Sequence, residues 1–232
     1  MTRVALTQSL GRLEMLEASL LRHGLEVLRI PLVRTVPMAV SLESLHGCAW
    51  WLISSISSVE ALLTLNADFA AHRFGAVGRA TASAIRAAGG LVELVAPEGN
   101  AASLATQFLR LEVAANAQLG RDGQAGAAVG LPVGDRALST IQDQLTRVGV
   151  STRTLCVYSS QINPWPKDAP QPDVIVLASP TATLGLPESV AARASLIALG
   201  PTTAASVRAR GWTCRVARRP SVEALLELIL SA

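Results

Sequence analysis

Short apolar runs alternate with longer amphipathic segments along the whole chain. Strand-like runs such as RVALT and WWLIS are each followed by a segment of helical periodicity, including one over about 10–23 and one over about 101–118. In the first of these, leucines recur at helical spacing before Gly24, a residue type that commonly ends helices. Strands that alternate with helices pair in parallel and are joined by crossover helices. The pattern therefore predicts an α/β protein built on parallel sheets.

Three stretches stand apart from this alternation. LEVLRIPLV at 25–33 reads as a single long strand. LGRDGQAGAAVG at 119–130 has the weakest pattern and predicts a surface loop. The proline-rich SSQINPWPKDAPQP at 159–172 predicts a linker, after which strands and helices resume up to the final helix SVEALLELIL.

Several elements recur in the same order at separations of 122 to 125 residues. The clearest is GRATASAIRAAGG at 78–90, which returns as GPTTAASVRARGW at 200–212. The matched pairs are Gly24 with Gly149, Ser55 with Ser179, and Gly78 with Gly200. Repetition of several elements in one order predicts a duplicated domain, and hence two similar lobes.

Composition and charge narrow the class of protein. Half of the 232 residues are hydrophobic and only 16% are charged, which is typical of a folded globular chain. No apolar run approaches the roughly 18 residues of a membrane span, and the N-terminus has no secretory pattern. Three widely separated cysteines predict no disulfide framework, so we expect a cytoplasmic protein without membrane attachment. The net charge of +3 suits an anionic small molecule and is too low to predict nucleic-acid binding.

Several common kinds of site are missing from the sequence. The only lysine, Lys167, lies in the predicted linker, so no phosphate-binding loop of the Gly-x-x-x-x-Gly-Lys type occurs. The Gly-x-Gly-x-x-Gly motif that is typical of dinucleotide-binding folds is also absent from the sequence. The three histidines have no cysteine or carboxylate at metal-ligand spacing. We therefore expect neither a metal nor a cofactor.

Small hydroxyl residues and glycines cluster at the turns that follow the predicted strands. In parallel sheets these turns lie at the carboxyl edge, where the free N–H groups and positive ends of helix dipoles attract anions. An isolated Ser or Thr at such a turn is ordinarily a helix N-cap, but turns matched across a duplication favour two lobes that present anion-binding turns to a shared cleft. The candidate binding residues are Thr7, Ser9, Ser55, Ser57, Gly78, Thr81, Ser179, Thr181, Gly200, Thr202 and Thr203.

Taken in order, these motifs resemble the uroporphyrinogen-III synthase family over nearly the whole chain. The resemblance rests on the Ser-x-x-x-Val turn after WLIS, the two Gly-x-x-Thr helices, the strand ending in Val157-Tyr158, the Ser-Pro-x-Ala turn at 179–182 and the closing helix after Pro220. It implies two flavodoxin-like lobes joined by a two-stranded hinge linker. The implied bounds are 1–34 plus 164–232 for one lobe, 38–158 for the other, and 34–38 and 158–164 for the linkers.

The same resemblance implies the chemistry. Enzymes of this family close the linear tetrapyrrole hydroxymethylbilane, a polycarboxylate, with loss of water and inversion of ring D in haem biosynthesis, and need no cofactor. Tyr158 matches the tyrosine suggested to assist departure of the hydroxyl, and Arg136 matches a position that could pair with a propionate. A monomer is the expected state.

The sequence also departs from the family pattern. Thr7-Gln8-Ser9 replaces a Thr-Arg-Pro, and Val133 stands where an arginine is common. These differences keep open the alternative of a non-catalytic paralogue that binds tetrapyrroles or other anions on the same fold. A nucleic-acid surface is a further alternative, but its candidate arginines lack interleaved aromatic residues other than Trp212. Those arginines are Arg208, Arg210, Arg215, Arg218 and Arg219.

Overall fold

The computed structural model describes residues 1–8, 13–118, 128–217 and 221–231, with only the backbone for 113–118. The chain divides into two compact units. Unit 1 comprises Met1–Arg34 and Gln161–Ala232, and unit 2 comprises Thr35–Ser160. The predicted linkers, 34–38 and 158–164, bracket these two divisions, and hinge motion between the units stays a prediction.

The described strands and helices alternate as expected. The strands are β1 (Arg3–Leu6), β2 (Glu26–Arg29), β3 (Val33–Pro37), β4 (Trp50–Ile53), β5 (Arg73–Ala76), β6 (Leu91–Val95), β7 (Val129–Gly134), β8 (Thr152–Ile162), β9 (Val174–Leu177), β10 (Ser195–Ala198) and β11 (Arg215–Val216). The α-helices are α1 (Glu14–Arg22), α2 (Ile56–Thr64), α3 (Arg79–Ala87), α4 (Ala101–Gln118), α5 (Thr140–Arg147), α6 (Ala182–Gly185), α7 (Glu188–Ala191), α8 (Pro201–Ala209) and α9 (Val222–Leu230). Short 3₁₀ helices occupy Leu42–Leu45 and Phe69–Ala71.

Unit 1 is built on a five-stranded sheet in the order β11-β10-β9-β1-β2, and every pair in it is parallel. Successive residues of a strand point to opposite faces, so the central strands supply two core layers. Val4 of β1 packs with α1 and α9 residues, whereas the next residue, Ala5, packs with α6 and α8 residues. Both faces are buried, which explains the continuous apolar runs of these strands.

Unit 2 contains a six-stranded sheet in the order β3-β8-β7-β4-β5-β6. The pairs from β8 to β6 are parallel. Trp51 faces the layer that includes α2 and α3, and its neighbour Trp50 faces the layer that includes α4 and α5. Gly130 of β7 makes room for Trp51, since a Cβ at Gly130 would be 2.6 Å from Trp51 Cδ1. The two tryptophans thus fill the cores on both sides of the same sheet.

The duplication is visible in the topology. Read from the matching edge, unit 1 runs β2-β1-β9-β10-β11, and five strands of unit 2 run β8-β7-β4-β5-β6 in the corresponding order. The sixth strand of unit 2, β3, lies outside this correspondence. The helices α3 and α8 both follow a glycine N-cap and are both succeeded by a glycine in the left-handed region, Gly89 at φ +88° and Gly211 at φ +76°. Such glycines end helices because other residues are strained at positive φ.

The α/β fold with parallel sheets is confirmed, and helix α4 has the predicted bounds. The single strand predicted over 25–33 is wrong: it is two strands, β2 and β3, that belong to different sheets. Pro31 falls between them, and a proline has no N–H for a sheet ladder. The predicted linker at 159–172 begins too early, because β8 continues to Ile162. Most of the loop predicted at 119–130 lies outside the described residues.

Candidate functional site

The carboxyl edge of the unit 2 sheet collects several of the predicted residues. The chain order of the strands reverses between β4 and β7, and open α/β sheets bind ligands at such a reversal, beyond the carboxyl ends of the strands. β4 leads into Ser54 and Ser55, and β7 ends at Gly134. Tyr158 lies in β8, the other neighbour of β7.

Tyr158 is half-buried, and its ring lies against Gly134. A Cβ at Gly134 would be 2.5 Å from Tyr158 Cε2 and 2.7 Å from its hydroxyl oxygen. The β7–β8 register shifts at this point, so that Gly134 pairs with Tyr158. Only a glycine leaves the space that the phenol occupies.

The Tyr158 hydroxyl reaches the N-terminus of α2. Its oxygen lies 3.2 Å from Ser55 Oγ, and Ser55 Oγ lies 3.1 Å from Ser58 Oγ. Ser55 is the N-cap of α2, since its Oγ accepts a hydrogen bond from the Ser58 backbone N–H at 3.2 Å. Ser57 is buried, and its Oγ lies 3.4 Å from Thr35 Oγ1.

The turn after β7 is anchored beside Tyr158. The Asp135 backbone N–H donates to the Tyr158 carbonyl at 3.0 Å, and Asp135 Oδ1 accepts from the Ser160 N–H at 3.0 Å. Arg136 follows in this turn and is exposed. The two bonds of Asp135 therefore hold the backbone of Arg136 next to the strand that contains the tyrosine.

The other predicted turn of unit 2 is the start of α3. Gly78 is its N-cap without a side-chain cap, and Thr81 at the third helical position is 6% exposed. The first bond within this helix is donated by the Ala82 N–H to the Gly78 carbonyl. The N–H groups of the three preceding helical residues are left for an external partner, as at any helix start.

The start of α8 in unit 1 repeats this arrangement. Gly200 is its N-cap, Pro201 its first residue, and Thr203 is 4% exposed. Within the described part of the chain, the Thr203 hydroxyl makes no hydrogen bond. A cavity of about 310 Å³ opens here, lined by Ala178, Leu199, Gly200, Pro201, Thr202, Thr203 and Ala217. Thr203 thus lines the same cavity as the start of α8.

The remaining predicted residues of unit 1 have other surroundings. Ser179 Oγ accepts from the Ala182 N–H at 3.2 Å, the counterpart of the Ser55 cap, and Thr181 is half-buried. Thr7 is 1% exposed and its hydroxyl donates to the Val176 carbonyl at 2.8 Å, so it ties β1 to β9. Ser9 lies outside the described residues.

Three further residues surround Tyr158 and were not among the candidate site residues predicted from the sequence: Ser58, Gly134 and Asp135. The Ser55-x-x-Ser58 spacing is a local signal for the first, because an N-cap side chain bonds to the N–H three residues later. The glycine at the end of a strand is a signal for the second. The hydrogen bonds of Asp135 to a strand more than 20 residues away have no local signal.

Unit 2 also has a cavity of about 290 Å³ at the carboxyl ends of β4 and β7. It is lined by Leu52, Ser54, Ala101, Leu131, Val133, Ala137, Leu138, Ser139, Thr140, Ile141, Gln142 and Thr154. Leu52 and Leu131 belong to the core layer of α4 and α5, whereas Tyr158 packs against the layer of α2 and α3. This cavity therefore opens on the other face of the sheet.

Other reactive groups are few. Burial raises the pKa of all three thiols, Cys48, Cys156 and Cys214, above that of an ordinary cysteine.

In the described ranges no group of three or more His, Cys, Asp or Glu side chains could hold a metal ion. Among the same residues, no helix is long and apolar enough to cross a membrane.

Comparison with known proteins places these observations in a family. The sequence model of the HEM4 family, uroporphyrinogen-III synthase HemD, matches residues 14–227. The uroporphyrinogen-III synthetase structure from Helicobacter pylori has a TM-score of 0.67 at 17% identity, over 100% of this chain and 99% of that one. A mutant uroporphyrinogen III synthase from Thermus thermophilus has a TM-score of 0.57 at 18% identity, over 100% and 98%. No curated protein sequence matches the chain significantly.

Proposed function

The chain belongs to the uroporphyrinogen-III synthase family, which cyclises hydroxymethylbilane in haem biosynthesis, and on that premise we propose which of its residues bind the substrate and assist the reaction. Tyr158 assists departure of the substrate hydroxyl, and the glycine–threonine turns of the two units hold substrate carboxylates. The reaction is that of a cyclising lyase.

Tyr158 supplies the proton for the leaving group. The C–O bond of the hydroxymethyl group breaks with both electrons going to oxygen, while a pyrrole nitrogen of the substrate supplies electrons to the carbon. The phenol proton turns the departing hydroxide into water, and the proton released when the last pyrrole re-forms restores the phenol. A half-buried tyrosine whose ring lies against Gly134 supports this role, because a general acid needs a fixed position.

The carboxylates of the substrate bind at the helix starts. Carboxylate binding at these turns is supported chiefly by the cavity of about 310 Å³ at Gly200, which Thr203 lines. The Thr203 hydroxyl makes no hydrogen bond to another described residue. The free N–H groups and positive dipole end of α8 favour an anion, and the threonine adds a donor. The Gly78–Thr81 turn repeats this chemistry in unit 2.

The two turns differ at the first helical residue, which is Arg79 in unit 2 and Pro201 in unit 1. Proline has no N–H, whereas arginine adds one N–H and a cation. Arg136, exposed beside the Tyr158 strand, is a further cation for a propionate. The two copies of the turn therefore hold different substituents of an asymmetric substrate.

We also propose that the protein works as a monomer in the cytoplasm. Its three free cysteines, whose thiol pKa values are raised by burial, fit a reducing compartment. Sedimentation at micromolar concentration tests the first point, since a dimer would sediment as twice the chain mass.

The function is tested by supplying hydroxymethylbilane to the purified protein and resolving the uroporphyrinogen isomers that form. We expect isomer III, in which ring D is inverted, in large excess over isomer I. Isomer I alone, at the rate seen without protein, would contradict an active synthase and favour a binding protein on the same fold.

A further inference from the structure

We propose that Ser55 is a positioning residue for Tyr158: with the buried Ser58 behind it, its hydroxyl donates to the tyrosine oxygen and leaves the phenolic proton available to the substrate. This inference rests on the role proposed above for Tyr158. It gives Ser55 a task other than contact with the substrate.

The three hydroxyls form a chain that leads from the inside of unit 2 toward its surface. Ser58 is 0% exposed, while Ser55 and Tyr158 are half-buried. The oxygens are 3.1 Å apart from Ser58 to Ser55 and 3.2 Å apart from Ser55 to Tyr158. By distance alone, either atom of each pair could be the donor. The direction is set by the number of protons and lone pairs on each oxygen.

The buried end decides the direction. The Ser58 hydroxyl has one proton, and its hydrogen-bond partner is Ser55 Oγ. If Ser55 donated to Ser58 instead, the Ser58 proton would have no acceptor among the described residues at a fully buried position. An unpaired buried proton is more costly than an unused lone pair. Ser58 therefore donates to Ser55.

Ser55 then has no lone pair left for the tyrosine. A serine oxygen has two lone pairs and one proton. Ser55 Oγ accepts from the Ser58 N–H at 3.2 Å and from the Ser58 hydroxyl, which uses both lone pairs. Its own proton must go to Tyr158. The Tyr158 oxygen therefore accepts a hydrogen bond from Ser55, and the phenolic proton points away from both serines.

This polarity suits proton donation. Each hydroxyl in the chain donates to the next one, and bonds in such a chain strengthen one another. The chain also begins at the N-terminus of α2, where the helix dipole is positive. Both effects draw electron density from the Tyr158 oxygen and make its proton a better donor to the departing hydroxyl.

A double-mutant cycle on hydroxymethylbilane turnover tests this. We expect Tyr158→Phe to lower kcat at least about tenfold and Ser55→Ala to lower it about three- to tenfold, with KM within about twofold for both. In the Tyr158→Phe background, Ser55→Ala should change kcat by less than about 1.5-fold, because the two residues act as one unit. Ser55→Thr, which keeps the hydroxyl and the N-cap, should restore most of kcat.

Ser221→Ala is the matched control for loss of the cap. Ser221 is the N-cap of α9, and its Oγ accepts from the Ala224 N–H at 3.2 Å, the same cap geometry with no tyrosine attached. We expect Ser55→Ala and Ser221→Ala to lower the melting temperature by similar amounts, about 2–4 °C. Only Ser55→Ala should lower kcat.

The outcomes separate this inference from the proposed function. Equal kcat losses from Ser55→Ala with and without the phenol, or a raised KM with unchanged kcat, would overturn the positioning role while leaving the role of Tyr158 intact. Wild-type kcat in Tyr158→Phe would instead overturn the role proposed for Tyr158.

Discussion

Gly134 lies directly under the ring of Tyr158: a Cβ at Gly134 would be 2.5 Å from Tyr158 Cε2. We therefore expect Gly134→Ala to push the phenol away from Ser55 and to lower kcat about tenfold or more, since small displacements of a catalytic group are costly. Turnover of hydroxymethylbilane per folded molecule measures this.

Gly130→Ala is a control for overpacking in the same strand. Gly130 is buried in β7, and a Cβ there would meet Trp51 instead of Tyr158. Both alanines should destabilise the protein by about 1–3 kcal/mol. If Gly130→Ala lowered kcat per folded molecule as much as Gly134→Ala, the contact with Tyr158 would not be the cause.

Tyr158→Phe removes the proposed proton donor while keeping the ring. We expect at least a tenfold loss of turnover, about 1.4 kcal/mol of barrier. The isomer ratio among the remaining product checks whether the enzyme still folds the substrate: isomer III should still exceed isomer I, because the carboxylate-binding turns are unchanged. Unaltered turnover would make Tyr158 a structural residue.

Thr203→Val and Thr81→Val form a matched pair at equivalent positions of α8 and α3. Valine keeps the shape of threonine and removes the hydroxyl, and both side chains are buried. We expect each to raise KM about 5- to 30-fold with little change in kcat, the effect of losing a bond of about 1–2 kcal/mol to an ion. Thr7→Val, whose hydroxyl binds the Val176 carbonyl, should leave KM unchanged.

The ion pair between Arg73 and Glu93 predicts a small acid-dependent loss of stability. The hydrogen bond from Arg73 lowers the pKa of Glu93 below its ordinary value of 4.5. Its stabilising contribution is therefore complete above about pH 4.5 and is lost as the pH falls through the lowered pKa.

Thermal unfolding of wild type and Glu93→Gln as a function of pH measures this contribution. Because the pair is partly exposed, with side-chain exposures of 46% for Arg73 and 28% for Glu93, we expect only about 0.2–1 kcal/mol near neutral pH. The two melting curves should converge in acid. A difference that persists well below pH 4 would contradict the assignment.

The three thiols should be dispensable. Burial raises their pKa values, so the thiolate fraction at pH 7 is smaller than that of an ordinary cysteine. Treatment of the native protein with iodoacetamide at pH 7 should therefore leave turnover unchanged. Rapid loss of activity would point to a thiol in the reaction.

Local sequence signals were sufficient to predict the regular helices of the fold. Helix α4 follows its periodicity, and the left-handed glycines Gly89 and Gly211 mark the ends of the two repeated helices. The prediction of one long strand over 25–33 was wrong because an apolar run does not show where the chain passes from one sheet to another. Residues of β2 and β3 look alike in sequence, but they pair with different strands.

By itself, the sequence determined the α/β class, the duplication and the family, because periodicity and ordered motifs are properties of the chain read in one dimension. It also selected Tyr158 and the glycine–threonine turns as candidates. Only the tertiary structure decided what surrounds the candidate residues. The Thr7 hydroxyl bonds β1 to β9, Gly134 leaves the space that the phenol occupies, and Ser58 is the buried end of the series of hydroxyls. Hydrogen-bond direction depends on burial and on partners distant in sequence, and both arise only when the sheet brings β4, β7 and β8 side by side.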